Sequence, residues 1–221
     1  MGKLIVIEGT DCSGKETQSN LLLERLEKEN KKIKKLSYPM YDTPTGKIVG
    51  GSYLGKKYIS EGLFKEGASN VDPKVAALYF AADRKYNINK ISDLLNEGYD
   101  VLIDRYVESN MGHQGGKILD ANERKKMYKW LEKLEYDMLE LPKPDITIFL
   151  YMPYEYALEL KKNRNEEPDQ HEANKEHLMN AEKAFLELAE LYNFKTINCV
   201  ENKKIKSKEQ IHEEIYNLLN N

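Results

Sequence analysis

The sequence is sparing with several kinds of feature, and each scarcity removes a class of protein. Only 2 cysteines, Cys12 and Cys199, occur among 221 residues, too few for a disulfide framework. Positive charge is not in excess: 34 lysines and arginines against 37 aspartates and glutamates leave a net charge of −3. A surface that grips nucleic acid throughout normally carries a basic excess, so no nucleic-acid partner is expected; a small anion in a local basic pocket remains compatible. Unbroken apolar runs last only a few residues, far short of the roughly 20 that a spanning helix needs. The N-terminal stretch reaches Glu8 before any signal-peptide core can form. These lacks point to a soluble cytoplasmic protein with no membrane partner. What is present, 40% hydrophobic and 32% charged residues, suits one solvated domain spanning 1–221.

Short β-branched runs alternate with longer helical patterns. Strands are predicted at 4–7, 34–38, 101–103, 146–151 and 196–200. The runs at 4–7, 101–103 and 146–151 lack polar alternation, so both faces should be covered, as in a parallel sheet. Met127, Trp130, Leu131, Leu134 and Met138 form one apolar helical stripe. Leu178, Ala181, Phe185, Leu188 and Tyr192 form a second, and Ile211, Ile215, Leu218 and Leu219 a third. The alternation means an α/β fold. Residues 39–70, with 6 glycines, read as loop with a short helical piece at best. Residues 161–176 have hardly an apolar side chain, which suits a solvated flap; such segments are lids, binding loops or tolerated insertions.

The strongest signal is Gly9-Thr10-Asp11-Cys12-Ser13-Gly14-Lys15 between the first strand and a helical run. It has the glycines and lysine of G-x-x-x-x-G-K in the strand–loop–helix context that the motif requires. Glycines let successive N–H groups turn inward, the helix N-terminus adds partial positive charge, and Lys15 reaches the outer phosphates. The motif continues with Ser or Thr, whose hydroxyl ligates Mg²⁺; here Glu16 and then Thr17 follow. Thr17 lies about 100° further round the helix and cannot simply take over. Glu16 reads either as an oxygen ligand on the Mg²⁺ side or as a carboxylate repelling the phosphates. Cys12, at a helix N-terminus near Lys15, is placed for a lowered thiol pKa.

The buried run 101–103 ends in Asp104-Arg105-Tyr106, at the carboxyl edge where open α/β sheets bind ligands. Asp104 suits a Mg²⁺ shell or an acceptor oxygen, and Arg105 a bidentate phosphate clamp. A structural ion pair is the plainer alternative. The run Lys28 to Lys35 reads as a solvated helix end or as a site for an acidic partner. The 4 histidines show no metal spacing; His171 and His177 do not share a helical face.

Taken together, these residues resemble the thymidylate kinase family of P-loop nucleoside monophosphate kinases. The resemblance runs through Glu8 to Gln18, Tyr38-Pro39-Met40-Tyr41, Phe80-Ala81-Ala82-Asp83-Arg84, Asp104 to Gly115 and Leu141-Pro142-Lys143-Pro144-Asp145. It implies a P-loop kinase fold: a five-stranded parallel sheet sandwiched between helices, with a small lid at about 161–176. It further implies a homodimer that transfers the γ-phosphoryl group of ATP to dTMP with Mg²⁺. In that reading the phosphate loop is 9–17, and the acceptor segments are 38–41, 80–84 and 104–115. Asp11 meets the deoxyribose 3′-hydroxyl, and Phe80 stacks on thymine unless it is core packing. Arg84 meets the thymine edge or the acceptor phosphate, Arg105 and Tyr41 hold that phosphate, and Asn110 and Gln114 complete the base and sugar contacts. His113 stands where the family commonly has a tyrosine crowding the 2′ position. Cys12 replaces the loop arginine of another subclass, so the lid should supply the catalytic cation, Arg164, near Lys161, Lys162, Asp169 and Glu172. Adenine is expected near Glu201 to Lys204. The alternatives are a deoxynucleoside kinase, another monophosphate kinase, or a non-catalytic nucleotide sensor.

Overall fold

The first strand, β1 (Leu4–Gly9), is buried along its whole length. Leu4 and Val6 face one apolar layer and Ile5 and Ile7 the other, so both pleat faces are covered, as its unbroken apolar run requires. The computed structural model describes residues 1–161, 170–171 and 174–220. Four further strands join β1: β2 (Ile33–Ser37), β3 (Asp100–Asp104), β4 (Ile146–Tyr151) and β5 (Lys195–Asn198). All pair in parallel, in the order β2-β3-β1-β4-β5. The five predicted strands are present, with ends shifted by one or two residues. Asp145 sets the entry of β4, its carboxylate accepting from the Leu4 N–H at 2.7 Å.

One layer packs α1 (Lys15–Lys28), α7 (Tyr154–Lys161) and α9 (Lys208–Asn220) on Ile5, Ile7, Leu102 and Ile148. The other packs α3 (Pro73–Tyr86), α4 (Ile88–Asn96), α5 (Val107–Gly116), α6 (Ala121–Glu132) and α8 (Lys175–Leu191) on Leu4, Val6, Val101 and Ile103. Each fully buried aliphatic side chain contributes about 1.5–3 kcal/mol. The loop-rich stretch holds a one-turn α2 (Pro44–Lys47), a π-helical turn at Ile48–Tyr53 and a 3₁₀ turn at Ala68–Asn70. It builds a small core of its own around Val49, Tyr53 and Ala76. Past β5, β6 (Val200–Glu201) and β7 (Lys204–Ile205) form a short hairpin before α9. No helix among the described residues is long and apolar enough to cross a membrane.

The predicted stripe from Met127 to Met138 is correct only in its first half. Met127 and Leu131 are buried, but α6 gives way to a π-helical turn at Lys133–Met138. The wider turn, closed by Leu139 N–H to Leu134 C=O at 2.9 Å, slips the register. Met138 therefore turns out to 66% exposure, and Glu135 turns in to 0%.

Candidate active site

The loop after β1 turns inside a small space. A Cβ on Gly9 would lie 2.4 Å from Ser13 Oγ and 2.7 Å from the Leu150 carbonyl, so only glycine fits there. Gly14 caps α1 at φ 80°, and Cys12 takes φ 58°, a left-handed pair that turns the backbone. Asp11, Cys12, Gly14, Lys15, Glu16 and Thr17 border an open cleft of about 750 Å³, and Asp104 and Arg105 also line it. The Lys15 ammonium donates to the carbonyls of Gly9 at 3.0 Å and Thr10 at 2.9 Å. Burial, with Arg105 nearby, lowers its pKa to about 8, against the opposing pull of Asp11, Asp104 and Glu8. Thr10 serves the loop differently from a phosphate ligand: its hydroxyl donates to Met152 C=O at 2.7 Å and accepts from Met152 N–H at 2.9 Å. Ser13 is buried and does not line the cleft.

Next to the cleft lies a cavity of about 220 Å³. The three predicted acceptor segments converge on it and bring Tyr41, Phe80, Arg84, Asn110, His113 and Gln114 to its wall. Asp11, Tyr41 and Arg105 line both spaces. Arg105 sits at φ 65° past the end of β3, a conformation that costs a non-glycine residue about 1–3 kcal/mol. Its guanidinium donates to Asp11 Oδ1 at 3.4 Å and to His113 Nε2 at 3.4 Å. Burial alone would lower its pKa, but Asp11, Asp104 and Glu8 together raise it, and it stays a cation. Phe80 lines the cavity, edge to face with Tyr53 at 5.6 Å between centroids; its neighbour Leu78 is 50% exposed and takes no part in the core. The Gln114 amide is fully buried, and both its polar atoms lack a partner among the described residues. The same holds for Asn110 Oδ1. Such groups call for a polar ligand.

Glu135 and Lys56 matter here without any motif signal, while Glu8, Asp83 and Glu108 lie inside the segments quoted above in structural roles that no spacing announces. Glu135 meets Arg84 through a two-point pair, one arm Arg84 Nη2 to Oε1 at 2.6 Å and the other through Nε. It also accepts from Asn110 Nδ2 at 2.8 Å. Arg84 thus lines the cavity as a cation paired with a buried carboxylate. Glu8, 0% exposed, accepts from Tyr106 N–H, Ser109 N–H and Ser109 Oγ at 2.7, 2.9 and 2.7 Å. It ties β1 to the start of α5, and burial raises its pKa despite those bonds. Burial and the nearby Glu8 push Glu108 up to about 7. Asp83 holds the 39–45 loop through Met40 N–H at 2.9 Å and Thr45 Oγ1 at 2.7 Å. Lys56 adds an unforeseen cation to the cavity wall.

One expectation is corrected. The 161–176 stretch is not wholly solvated: His171 is 6% exposed, beneath Tyr53. The histidines, whose spacing in the chain suggests no metal site, nonetheless come together at His113, His171 and His177. Their linear spacing gives no sign of it, since the contact is made by tertiary packing. Arg164, Lys162, Asp169 and Glu172 lie outside the described residues, as does the side chain of Lys161.

A glycine-rich anion cradle beside a second, cation-walled cavity, on a five-stranded parallel sheet, defines a P-loop nucleoside monophosphate kinase. The profile described as thymidylate kinase matches residues 7–215. A thymidylate kinase of Prochlorococcus marinus is 34% identical over 227 residues, covering 100% of this chain and 99% of that protein. A relative in Methanocaldococcus jannaschii, named a probable thymidylate kinase, is 34% identical over 98% of this chain and 95% of its own. The solved thymidylate kinase of Candida albicans superposes with TM-score 0.74 at 26% identity, over 99% of this chain and 91% of that one. The chain belongs to the thymidylate kinase family.

Proposed function

We infer that the chain transfers the γ-phosphoryl group of ATP to dTMP, giving dTDP. The observation that carries this reading is Arg105, which stands in the wall shared by the phosphate-loop cleft and the acceptor cavity. ATP phosphates lie along 9–17, where main-chain N–H groups and Lys15 hold them. The dTMP phosphate lies against Arg105 and Tyr41, with thymine over Phe80 and its polar edge toward Asn110 and Gln114. Asp11 takes the sugar hydroxyl. A phosphate acceptor is already anionic and needs no strong general base; positioning and charge neutralisation suffice.

Asp104 and Glu16 border the same cleft as Lys15 and supply oxygen donors of the hard kind that Mg²⁺ prefers. When bound, the ion neutralises charge on the β- and γ-phosphates. Arg164 is the cation assigned to the lid. The outer face of α3 leaves Val75, Leu78, Ala82 and Tyr86 exposed in one stripe, which supports a homodimer through that helix. Cys12 and Cys199 are not joined in a disulfide, in keeping with the reducing cytoplasm.

A coupled ADP-release assay across dTMP, UMP and thymidine tests the assignment. dTMP should turn over fastest. Equal rates for dTMP and UMP would defeat it, turnover of thymidine would favour a nucleoside kinase, and no turnover at all a sensor.

A further inference from the structure

Three of the 4 histidines come from separate places in the chain to one point beside the acceptor cavity. His113 belongs to α5, His177 to the first turn of α8, and His171 precedes that helix. One ring nitrogen from each lies within 4.8 Å of the other two. Phosphoryl transfer makes no use of this cluster as a unit, and His177 lines neither the cleft nor the cavity.

We propose that His113, His171 and His177 form a binding site for a divalent transition-metal ion, zinc by preference, which clips residues 170–171 to α5 and α8. The spacing is the first argument. Two nitrogens each about 2.05 Å from a tetrahedral zinc ion stand about 3.3 Å apart, and His113 Nδ1 to His177 Nε2 is 3.3 Å. The His171 ring, its centroid 4.4 Å from that of His177, has only to close a short gap. Ligand chemistry is the second. Imidazole suits zinc, copper and nickel, while Mg²⁺ prefers oxygen, so the nucleotide's ion does not compete here.

Orientation is the third argument. The Tyr53 hydroxyl gives its proton to the Ala68 carbonyl at 2.8 Å. Its 2.9 Å contact with His171 Nε2 takes the ring N–H as donor in the tautomer protonated at Nε2. That leaves the lone pair on Nδ1, and an outer hydrogen bond of this kind orients metal-binding histidines. Gln170 and Asn174 are tied down by their side chains: Ala68 N–H donates to Gln170 Oε1 at 2.7 Å, and Asn174 Nδ2 to Ser69 Oγ at 3.0 Å.

Occupancy has a consequence for the cavity. Arg105 can only donate to His113 Nε2. An ion on Nδ1 puts the ring proton on Nε2, where it faces that guanidinium and displaces it toward Asp11. Three protein ligands leave a fourth position for water.

The test uses chelator-stripped, tag-free full-length protein without nucleotide or Mg²⁺. Co²⁺ serves as the spectroscopic probe, and Zn²⁺ competes against a chromophoric chelator. One equivalent should bind and give the visible absorption of tetrahedral cobalt. His177→Gln should weaken binding about 100-fold or more, since even outer partners cost 10–100-fold, whereas His212→Gln should leave it unchanged. Absence of saturable binding, or equal affinity in His177→Gln, overturns the proposal. Should His177→Gln fail to fold, NMR of the wild-type imidazoles decides. Zn²⁺ should shift the resonances of His113, His171 and His177 and spare His212; any other pattern refutes the site.

Discussion

Arg84 and Glu135 form a buried two-point ion pair at the wall of the acceptor cavity, their side chains 3% and 0% exposed. The carboxylate comes from the π-helical turn and the guanidinium from α3. Removing one partner strands the other charge in a low dielectric, which typically costs about 3–5 kcal/mol. Glu135→Ala should therefore lose most of that amount in urea unfolding. Arg84→Met with Glu135→Leu should recover much of the stability yet keep a raised KM for dTMP. Unchanged stability in Glu135→Ala would mean the pair is not formed in solution.

Arg105 touches both spaces, and among the described residues its side chain hydrogen-bonds Asp11 and His113. Arg105→Ala should lower kcat/KM for dTMP by roughly 100-fold or more, the scale of a lost charge-assisted phosphate contact in a buried site. ATP affinity, measured by calorimetry without acceptor, should change less than tenfold. The reverse pattern would move the acceptor elsewhere.

Burial holds Lys15 at about 8 in the unliganded protein, and a bound triphosphate raises it. Below pH 8 the ammonium is already formed, so binding takes up no proton. Above pH 8 each binding event must protonate it, and the ATP Kd should climb by up to about tenfold per pH unit. Calorimetry in buffers of different ionisation heat should record close to one proton taken up at pH 9 and none at pH 7. A flat profile from pH 7 to 9.5 would contradict this.

In the function proposed above, Cys12 brings no positive charge to the phosphate loop and Arg164 is the cation assigned to the transferring group. Arg164→Ala should cut kcat by about 10³-fold or more, as loss of an arginine finger does, with little change in dTMP KM. A drop of less than a few-fold would give the role to a different cation.

Leu78 is 50% exposed on α3, between Val75 and Tyr86 at 43% and 61%. Leu78→Asp should convert a dimer to a monomer in sedimentation velocity at micromolar concentration. A monomer already in the wild type would remove α3 as the interface.

The strands and the anion cradle were legible because their signals are local. An apolar run without alternation needs cover on both sides, and G-x-x-x-x-G-K bears its own geometry. The acceptor wall was legible only as segments. Arg84 announced itself, but its partner Glu135 did not, because a π-helical turn changes which side chain faces inward and no helical period anticipates it. The same slip exposed Met138. The histidine cluster escaped for a related reason: His113 and His177 are brought together by the packing of α5 on α8, and His171 by its docking on Tyr53, none of which leaves a pattern in the chain.

The three bonds that Glu8 accepts from Tyr106 and Ser109 join the strand that feeds the phosphate loop to the helix that feeds the acceptor cavity. The distance between phosphate loop and acceptor cavity is therefore gauged by three buried hydrogen bonds on one carboxylate.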